Sequence, residues 1–224
     1  MPPSKISNVL ELPTVTLLIF NPAHEADLSG RIVNWLCARI RFGDCVHLSA
    51  DKPSLPVEGR QVYVPRCDWQ EGQRWQAYEL HKYFHTPHML HIETDGFPVH
   101  FDRWEPGFLA YDYIGAPWPP RLVPEGGDRV GNGGCSLQSV RFRRLLWENR
   151  HFYNGEPSDV WFTRNARLRE VLDREGMRIA DIGTAIRFSF ENEMPEFPDW
   201  RHEQSFAFHG KSEWCKGAVE MTDK

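Results

Sequence analysis

Apolar residues form alternating strand-like and helix-like patterns over the first hundred residues. Residues 14–20 are apolar and β-branched, which predicts a buried strand. Apolar residues at helical spacing over 25–40 predict an amphipathic helix. The same alternation continues to residue 94. It predicts strands over 45–48, 61–64 and 88–94 and a second helix over 71–84.

Strands that are separated by helices are joined by right-handed crossovers and pair in parallel. We therefore predict an α/β fold of the Rossmann-like kind, with a mainly parallel central sheet flanked by helices. Residues 96–134 are rich in glycine and proline, and a segment of this length either serves a function or contains short elements.

Regular patterns return after this segment, with a strand over 134–138, helices over 140–149 and 159–174 and a short strand over 177–180. No clear period follows residue 199. We expect one domain over residues 1–224, divided into a first half (1–95) and a second half (96–224).

Composition narrows the class of protein. The 224 residues are 41% hydrophobic, which is enough to bury a sizeable core. No apolar run reaches the ~20 residues of a membrane helix, and the N-terminus lacks the pattern of a secretory signal. Five scattered cysteines without a CxxC pair fit a reducing compartment. We expect a cytoplasmic protein without a membrane span, and the net charge of -5 argues against a dedicated nucleic-acid binder.

The segment His91-Ile92-Glu93-Thr94-Asp95 is the strongest chemical signal. On a strand, His91, Glu93 and Asp95 share one face, at the carboxyl end where ligands bind in open α/β sheets. Two carboxylates there favour a hard divalent cation, Mg²⁺ or Mn²⁺. The alternative is equally weighted: the acids simply cap a turn at the end of the strand.

Other candidates are weaker on their own. The Gly131–Gly134 segment (GNGG) allows close backbone approach to a ligand, but Asn-Gly is chiefly a turn signal. Trp118 ends an aromatic run that suits sugar stacking or loop packing. Asp159 opens a predicted helix, as a general base or as an acid that complements the helix dipole. His209 lies in an aromatic tail, where a single histidine is usually structural.

Seven segments in order resemble a bacterial and phage family of unknown function that is regarded as glycosyltransferase-like, with the GT-A nucleotide-sugar fold. They are YELHKYFHT (78–86), ETDGF (93–97), FLAYDYIGAPWP (108–119), VGNGGCSLQS (130–139), SDVWF (158–162), AIRFSFE (185–191) and FAFHG (206–210). The resemblance covers residues 78–210.

The resemblance implies roles for the metal ligands. Glu93 and Asp95 take the place of the acidic DxD motif of the fold, with Asp95 the firmer match. His209 matches a C-terminal histidine that closes the metal site. Asp159 matches the second acid of a Glu-Asp pair that acts as the base in inverting members. Ser158 replaces the first acid here.

The resemblance also implies where the substrates lie. Asn132, Gly133 and Gly134 line the donor or acceptor cleft, and Trp118 belongs to a loop that forms its wall. A nucleoside-diphosphate sugar lies over the first strands, near Asn21. The first half of the domain is then the nucleotide-binding half, and the second is the acceptor and catalytic half.

The resulting hypothesis is an inverting, Mn²⁺- or Mg²⁺-dependent glycosyltransferase that moves a sugar from a nucleoside-diphosphate sugar to an acceptor hydroxyl of a glycan or another molecule. Three alternatives stay open. They are a sugar-nucleotide hydrolase, a non-catalytic carbohydrate-binding module, and a phage-type enzyme that glycosylates hydroxymethylated DNA bases. For the last, Arg141, Arg143, Arg144 and Arg150 would form a phosphate-binding patch, although a solvated helix face is the favoured interpretation.

Overall fold

The computed structural model describes residues 9–22 and 25–223, so most of the N-terminal segment used to predict the lack of a signal lies outside the described residues. The strands are β1 (Leu10–Asn21), β2 (Ile40–Ser49), β3 (Arg60–Tyr63), β4 (His88–Ile92), β5 (Tyr113–Ile114), β6 (Cys135–Ser139), β7 (Ser189–Phe190) and β8 (Ala207–Phe208). The α-helices are α1 (Ala26–Cys37), α2 (Trp69–Arg74), α3 (Val140–Glu148), α4 (Ser158–Arg164), α5 (Ala166–Arg174), α6 (Ile182–Phe188) and α7 (Glu213–Glu220).

Six strands form one sheet in the order β3-β2-β1-β4-β6-β5. The four strands of the first half are parallel, whereas β6 pairs antiparallel with both β4 and β5. This arrangement confirms the predicted mainly parallel sheet. Because β1 and β4 are neighbours and parallel, their carboxyl ends meet at the same edge.

The central strand β1 is buried on both faces. Leu17 and Ile19 pack in the larger hydrophobic cluster, with residues of α1 such as Ile32. Leu18 and Phe20 point the other way, into a second cluster that includes residues of β2 and β4. The continuous apolar run is therefore explained by helices and turns that cover both sides of the sheet.

Several boundaries differ from the sequence prediction. The first helix ends at Cys37 instead of residue 40, and Ile40 already begins a longer β2. The predicted helix over 71–84 begins earlier and changes form: α2 gives way to a π-helical turn (Trp75–Glu79) and a 3₁₀ turn (Leu80–Lys82).

The predicted helix over 159–174 is two helices. Asn165 leaves the helical conformation at ψ 108°, and its side chain accepts a hydrogen bond from the Leu168 amide to cap α5. The predicted strand over 177–180 is reduced to a bridge between Ile179 and Tyr113. The apolar spacing continues across the break at Asn165, because α4 and α5 each bury one apolar side.

The second half holds elements that the sequence pattern missed. The segment 96–134 contains β5 and three short 3₁₀ turns, and α6, β7, β8 and α7 follow nearer the C-terminus. Among the described residues, no helix combines the length and the apolar character that crossing a bilayer requires. The larger hydrophobic cluster includes residues from both halves, from Leu12 to Ala218.

Replacing Asn165 with alanine tests the break between α4 and α5. The variant loses the cap on Leu168 and the hydrogen bond that Asn165 Nδ2 donates to the Phe152 carbonyl (3.1 Å). We expect the free energy of unfolding to fall by about 0.5–2 kcal/mol in urea denaturation. The matched control Asn154→Ala removes only an exposed local contact with Glu156 and should change it by less than about 0.5 kcal/mol. Equal effects of the two substitutions would contradict the assigned break.

Candidate functional site

A cleft of about 360 Å³ opens at the carboxyl ends of β1 and β4. Phe20, Asn21 and Pro22 line it at the end of β1, and Glu93, Thr94 and Asp95 line it just after β4. Residues between β3 and β4, including Asp68, Gln73 and Gln76, also line it. The volume falls within the range of small-ligand sites.

The acidic segment is a turn and not the end of a strand. β4 ends at Ile92, and the Glu93 amide donates hydrogen bonds to the Gly96 carbonyl (3.0 Å) and the Gly134 carbonyl (2.9 Å). The predicted alternation of His91, Glu93 and Asp95 on one strand face is therefore wrong. The turn still brings the two carboxylates to the cleft.

A distant part of the chain supplies the third group. His209 follows β8, and the Gly210 amide donates a hydrogen bond to the Asp95 carbonyl (2.9 Å). The Nε2 atom of His209 lies 3.9 Å from Glu93 Oε2 and 3.7 Å from Asp95 Oδ1. The ligand atoms of these three residues all lie within 4.8 Å of one another.

Burial changes the acidity of this group. It raises the pKa of Glu93 above its ordinary value, although the neighbouring His209 opposes the shift. Burial disfavours the charged form of His209, but Glu191, Glu93 and Asp95 outweigh it and raise the pKa of the imidazole. A cation shared by the carboxylates would relieve the unfavourable burial of negative charge.

The glycine turn packs against the acidic turn and His209. Asn132 is buried, and its Oδ1 accepts a hydrogen bond from the Gly134 amide (3.1 Å). A Cβ atom at Gly134 would lie 2.1 Å from the imidazole of His209, so only glycine fits there. Tyr113 fixes the turn from behind, because its hydroxyl contacts the carbonyls of Gly131 and Asn132.

Asp159 lies at the start of α4, beside Gly133. The Ser158 amide before it donates a hydrogen bond to Gln73 Oε1 (3.0 Å), which ties α4 to the cleft wall. Burial raises the pKa of Asp159, partly offset by the Val160 amide and by His209. Its carboxyl group therefore belongs to the electrostatic environment of the acidic group.

His91 and Trp118 have surroundings that the sequence did not reveal. His91 is 3% exposed, and its Nδ1 contacts the Gly133 carbonyl (2.9 Å), which places it behind the glycine turn. Burial lowers its pKa to about 4, so the ring is neutral at pH 7. Trp118 is 8% exposed, with its ring against Gly131. A role for Trp118 in sugar binding stays a prediction.

Two further residues join the site without a sequence signal for their position. Gln76, in the π-helical turn, donates a hydrogen bond to Glu93 Oε1 (3.0 Å). Glu191, after β7, accepts one from Asn132 Nδ2 (3.0 Å) and lies 3.4 Å from His209 Nδ1. Both occur in or near segments that resemble the family, but the residue type alone does not indicate that either side chain contacts the site.

The arginine cluster after β6 does not form a surface patch as a whole. Arg141, Arg144 and Arg150 are exposed, whereas Arg143 is 3% exposed. Its guanidinium approaches Gln138 Oε1 at 3.4 Å, and among the described residues its Nε and Nη2 atoms have no hydrogen-bond partner. Burial lowers the pKa of Arg143 to about 9. Arg143 is thus removed from any phosphate-binding surface.

Comparison with known proteins identifies the family. The profile of the family "Protein of unknown function (DUF5672)" matches residues 76–209, and the chain belongs to this family. The match confirms the resemblance drawn from the segments between residues 78 and 210. No curated protein matches the chain.

Solved structures of glycosyltransferases share the fold. A glycosyltransferase involved in the glycosylation of the major capsid of PBCV-1 superposes with a TM-score of 0.51 at 11% identity, covering 93% of this chain and 98% of that one. The galactosyltransferase LgtC, in complex with donor and acceptor sugar analogues, gives 0.50 at 12% identity and covers 93% and 94%. The fold is therefore of the GT-A, Rossmann-like kind.

Alanine at Gly134 tests the close approach to His209. The added Cβ would meet the imidazole at 2.1 Å and displace it, so we expect unfolding stability to fall by about 1–3 kcal/mol. Gly133→Ala is the matched control, since its nearest side-chain contact would be an ordinary 3.8 Å from Asp159. Urea denaturation measures both. A Gly134→Ala protein as stable as Gly133→Ala would show that this packing is wrong.

Proposed function

We propose that this member of the DUF5672 family is a divalent-metal-dependent glycosyltransferase. It transfers a sugar from a nucleoside-diphosphate sugar to an acceptor hydroxyl, with inversion at the anomeric carbon. The observation that carries the proposal is the convergence of Glu93, Asp95 and His209 at the edge of a parallel sheet, beside a cleft of substrate size.

The three side chains suit Mn²⁺ or Mg²⁺. Two atoms bound to one ion at about 2.1 Å are separated by roughly 3–4.2 Å, depending on the angle between them. The distances of 3.7 and 3.9 Å from His209 Nε2 to the two carboxylates fall in this range. Two oxygens and one imidazole nitrogen are also a suitable donor set for Mn²⁺.

The charges around the cleft support the same proposal. Its lining includes Glu25, Asp68, Glu93 and Asp95, and none of the described residues that line it is lysine or arginine. A diphosphate in such surroundings would be repelled by the carboxylates. A bound divalent ion would neutralise the diphosphate as a leaving group. Glu93, Asp95 and His209 would hold that ion, and Asn21 would contact the donor at the end of β1.

Asp159 would act as the general base. The acceptor oxygen forms a bond to the anomeric carbon as the bond from that carbon to the diphosphate oxygen breaks. The diphosphate leaves with the electron pair, and the hydroxyl proton passes to Asp159. One direct displacement inverts the anomeric configuration. Gly133 lies beside Asp159 and Gly134 lies against His209, so the glycine turn connects this base to the metal-binding group.

Asp95→Asn tests the metal site with a nearly isosteric change. We expect wild-type protein to bind a nucleoside diphosphate in the presence of Mn²⁺ with a rise in melting temperature of roughly 5–10 °C at a hundredfold excess over the dissociation constant. EDTA or Asp95→Asn should abolish both this rise and sugar transfer. The control Asp102→Asn changes a carboxylate that is 77% exposed and should behave as wild type. Full transfer by the Asp95→Asn protein would overturn the site.

Asp159→Asn tests the base. We expect sugar transfer to fall by about 10²–10⁴-fold with donor binding retained. Because the base must be ionised and burial raises the pKa of Asp159, kcat/KM should decline on the acidic side at a higher pH than an ordinary carboxyl group would give. The contribution of Asp159 to this decline should be lost in the variant, so that the acidic side of the profile changes, whereas Glu156→Gln should leave the profile as in wild type. A pH profile unchanged by Asp159→Asn would remove this residue from the reaction.

Product analysis in the same assay separates transfer from hydrolysis. A transferase gives a glycosylated acceptor, whereas a hydrolase gives free sugar whether or not an acceptor is present. A protein that binds sugars without metal and turns nothing over would be a binding module, and the proposed function would then be wrong.

A further inference from the structure

The short parallel pair β7 and β8 places two segments side by side. Ser189 pairs with Ala207 and Phe190 pairs with Phe208, so the next residues along the two strands, Glu191 and His209, are neighbours. The His209 amide donates a hydrogen bond to the Phe190 carbonyl (2.9 Å), which fixes this register up to the site. The β7–β8 pair therefore brings the Glu191 carboxylate to the site together with the His209 imidazole.

Both oxygens of Glu191 are directed at the site. Oε1 lies 3.4 Å from His209 Nδ1, and Oε2 accepts a hydrogen bond from Asn132 Nδ2 (3.0 Å). The other end of the Asn132 amide accepts a hydrogen bond from Gly134. Glu191 therefore lies between the glycine turn, to which it is hydrogen-bonded, and the imidazole, whose Nδ1 has no other hydrogen-bond partner among the described residues. Its side chain is only 20% exposed.

The two nitrogens of His209 face different partners. Nδ1 faces Glu191, whereas Nε2 faces Glu93 and Asp95. A neutral imidazole that donates its Nδ1 proton to a carboxylate keeps its lone pair on Nε2. That is the nitrogen a metal ion held with Glu93 and Asp95 would need.

We infer that Glu191 is a positioning residue that fixes the ring orientation and tautomer of His209 for metal binding. The inference rests on the proposed metal-dependent function and adds a residue to which no role is assigned. Carboxylates that accept the second N–H of a ligating histidine hold the ring in place and increase its basicity, and their loss typically weakens metal binding by 10–100-fold.

The experiment compares Mn²⁺ binding by isothermal titration in wild-type, Glu191→Ala and Glu191→Gln proteins. Glu191→Ala should weaken Mn²⁺ binding by about 10–100-fold. Glu191→Gln should fall between the two, because its single amide oxygen can accept from either His209 or Asn132 but not from both in the present arrangement. Glu193→Gln, an exposed acid two residues further along, should bind Mn²⁺ as wild type does.

Two further measurements separate positioning from a general structural role. The melting temperature with and without Mn²⁺ gives the metal-dependent increment, which Glu191→Ala should reduce at a fixed Mn²⁺ concentration. At an alkaline pH where the ring is neutral, the ¹⁵N shifts of the metal-free protein should show His209 protonated on Nδ1, and this preference should weaken in Glu191→Ala.

The outcomes are distinct. If Glu191→Ala lowers the metal-free melting temperature but leaves Mn²⁺ affinity unchanged, Glu191 is merely structural and the inference is wrong while the proposed function stands. If the wild-type protein itself binds no Mn²⁺, the metal dependence in the proposed function fails, and this inference fails with it.

Discussion

The close approach of Gly134 to the imidazole of His209 is the contact on which the site depends. At that point the glycine turn, the acidic turn and the C-terminal segment meet with no room for another carbon atom. The hydrogen bond from the Glu93 amide to the Gly134 carbonyl holds the first two together. A side chain at Gly134 would separate all three, because interiors packed at native density yield little to an added atom.

The parallel sheet alone does not complete the site. β1 and β4 bring Asn21 and the acidic turn to one edge, as their shared direction requires. The histidine comes more than a hundred residues later, directly after the second strand of the β7–β8 pair. Its position is fixed by backbone hydrogen bonds from His209 to Phe190 and from Gly210 to Asp95. β6 begins directly after the glycine turn and pairs antiparallel with β4. This pairing brings the glycine turn next to the acidic turn that follows β4.

Apolar periodicity predicted the elements that bury a regular face, such as β1 and α3. It missed the break at Asn165, because capping depends on a side-chain hydrogen bond that leaves the apolar spacing intact. It also missed β7 and β8, which are two residues long and too short to show a period. Glu93 and Asp95 were indicated by their place after a buried strand, whereas the metal-site role of His209 came only from the family resemblance. The sequence did not indicate that the side chain of Arg143, in α3, is buried, because arginine in a helix is ordinarily exposed.

The distribution of charge argues that the site is arranged for binding at the expense of stability. Glu93 and Asp159 are carboxyl groups whose pKa values burial raises, so ionising them at neutral pH opposes folding. Arg143 shares a small cavity with Asp159 and is buried without a carboxylate hydrogen-bonded to it among the described residues. Apolar residues of similar size would pack at these positions with less desolvation. Charges that weaken the fold are best explained by what they hold, which under the proposed function is a divalent cation for Glu93.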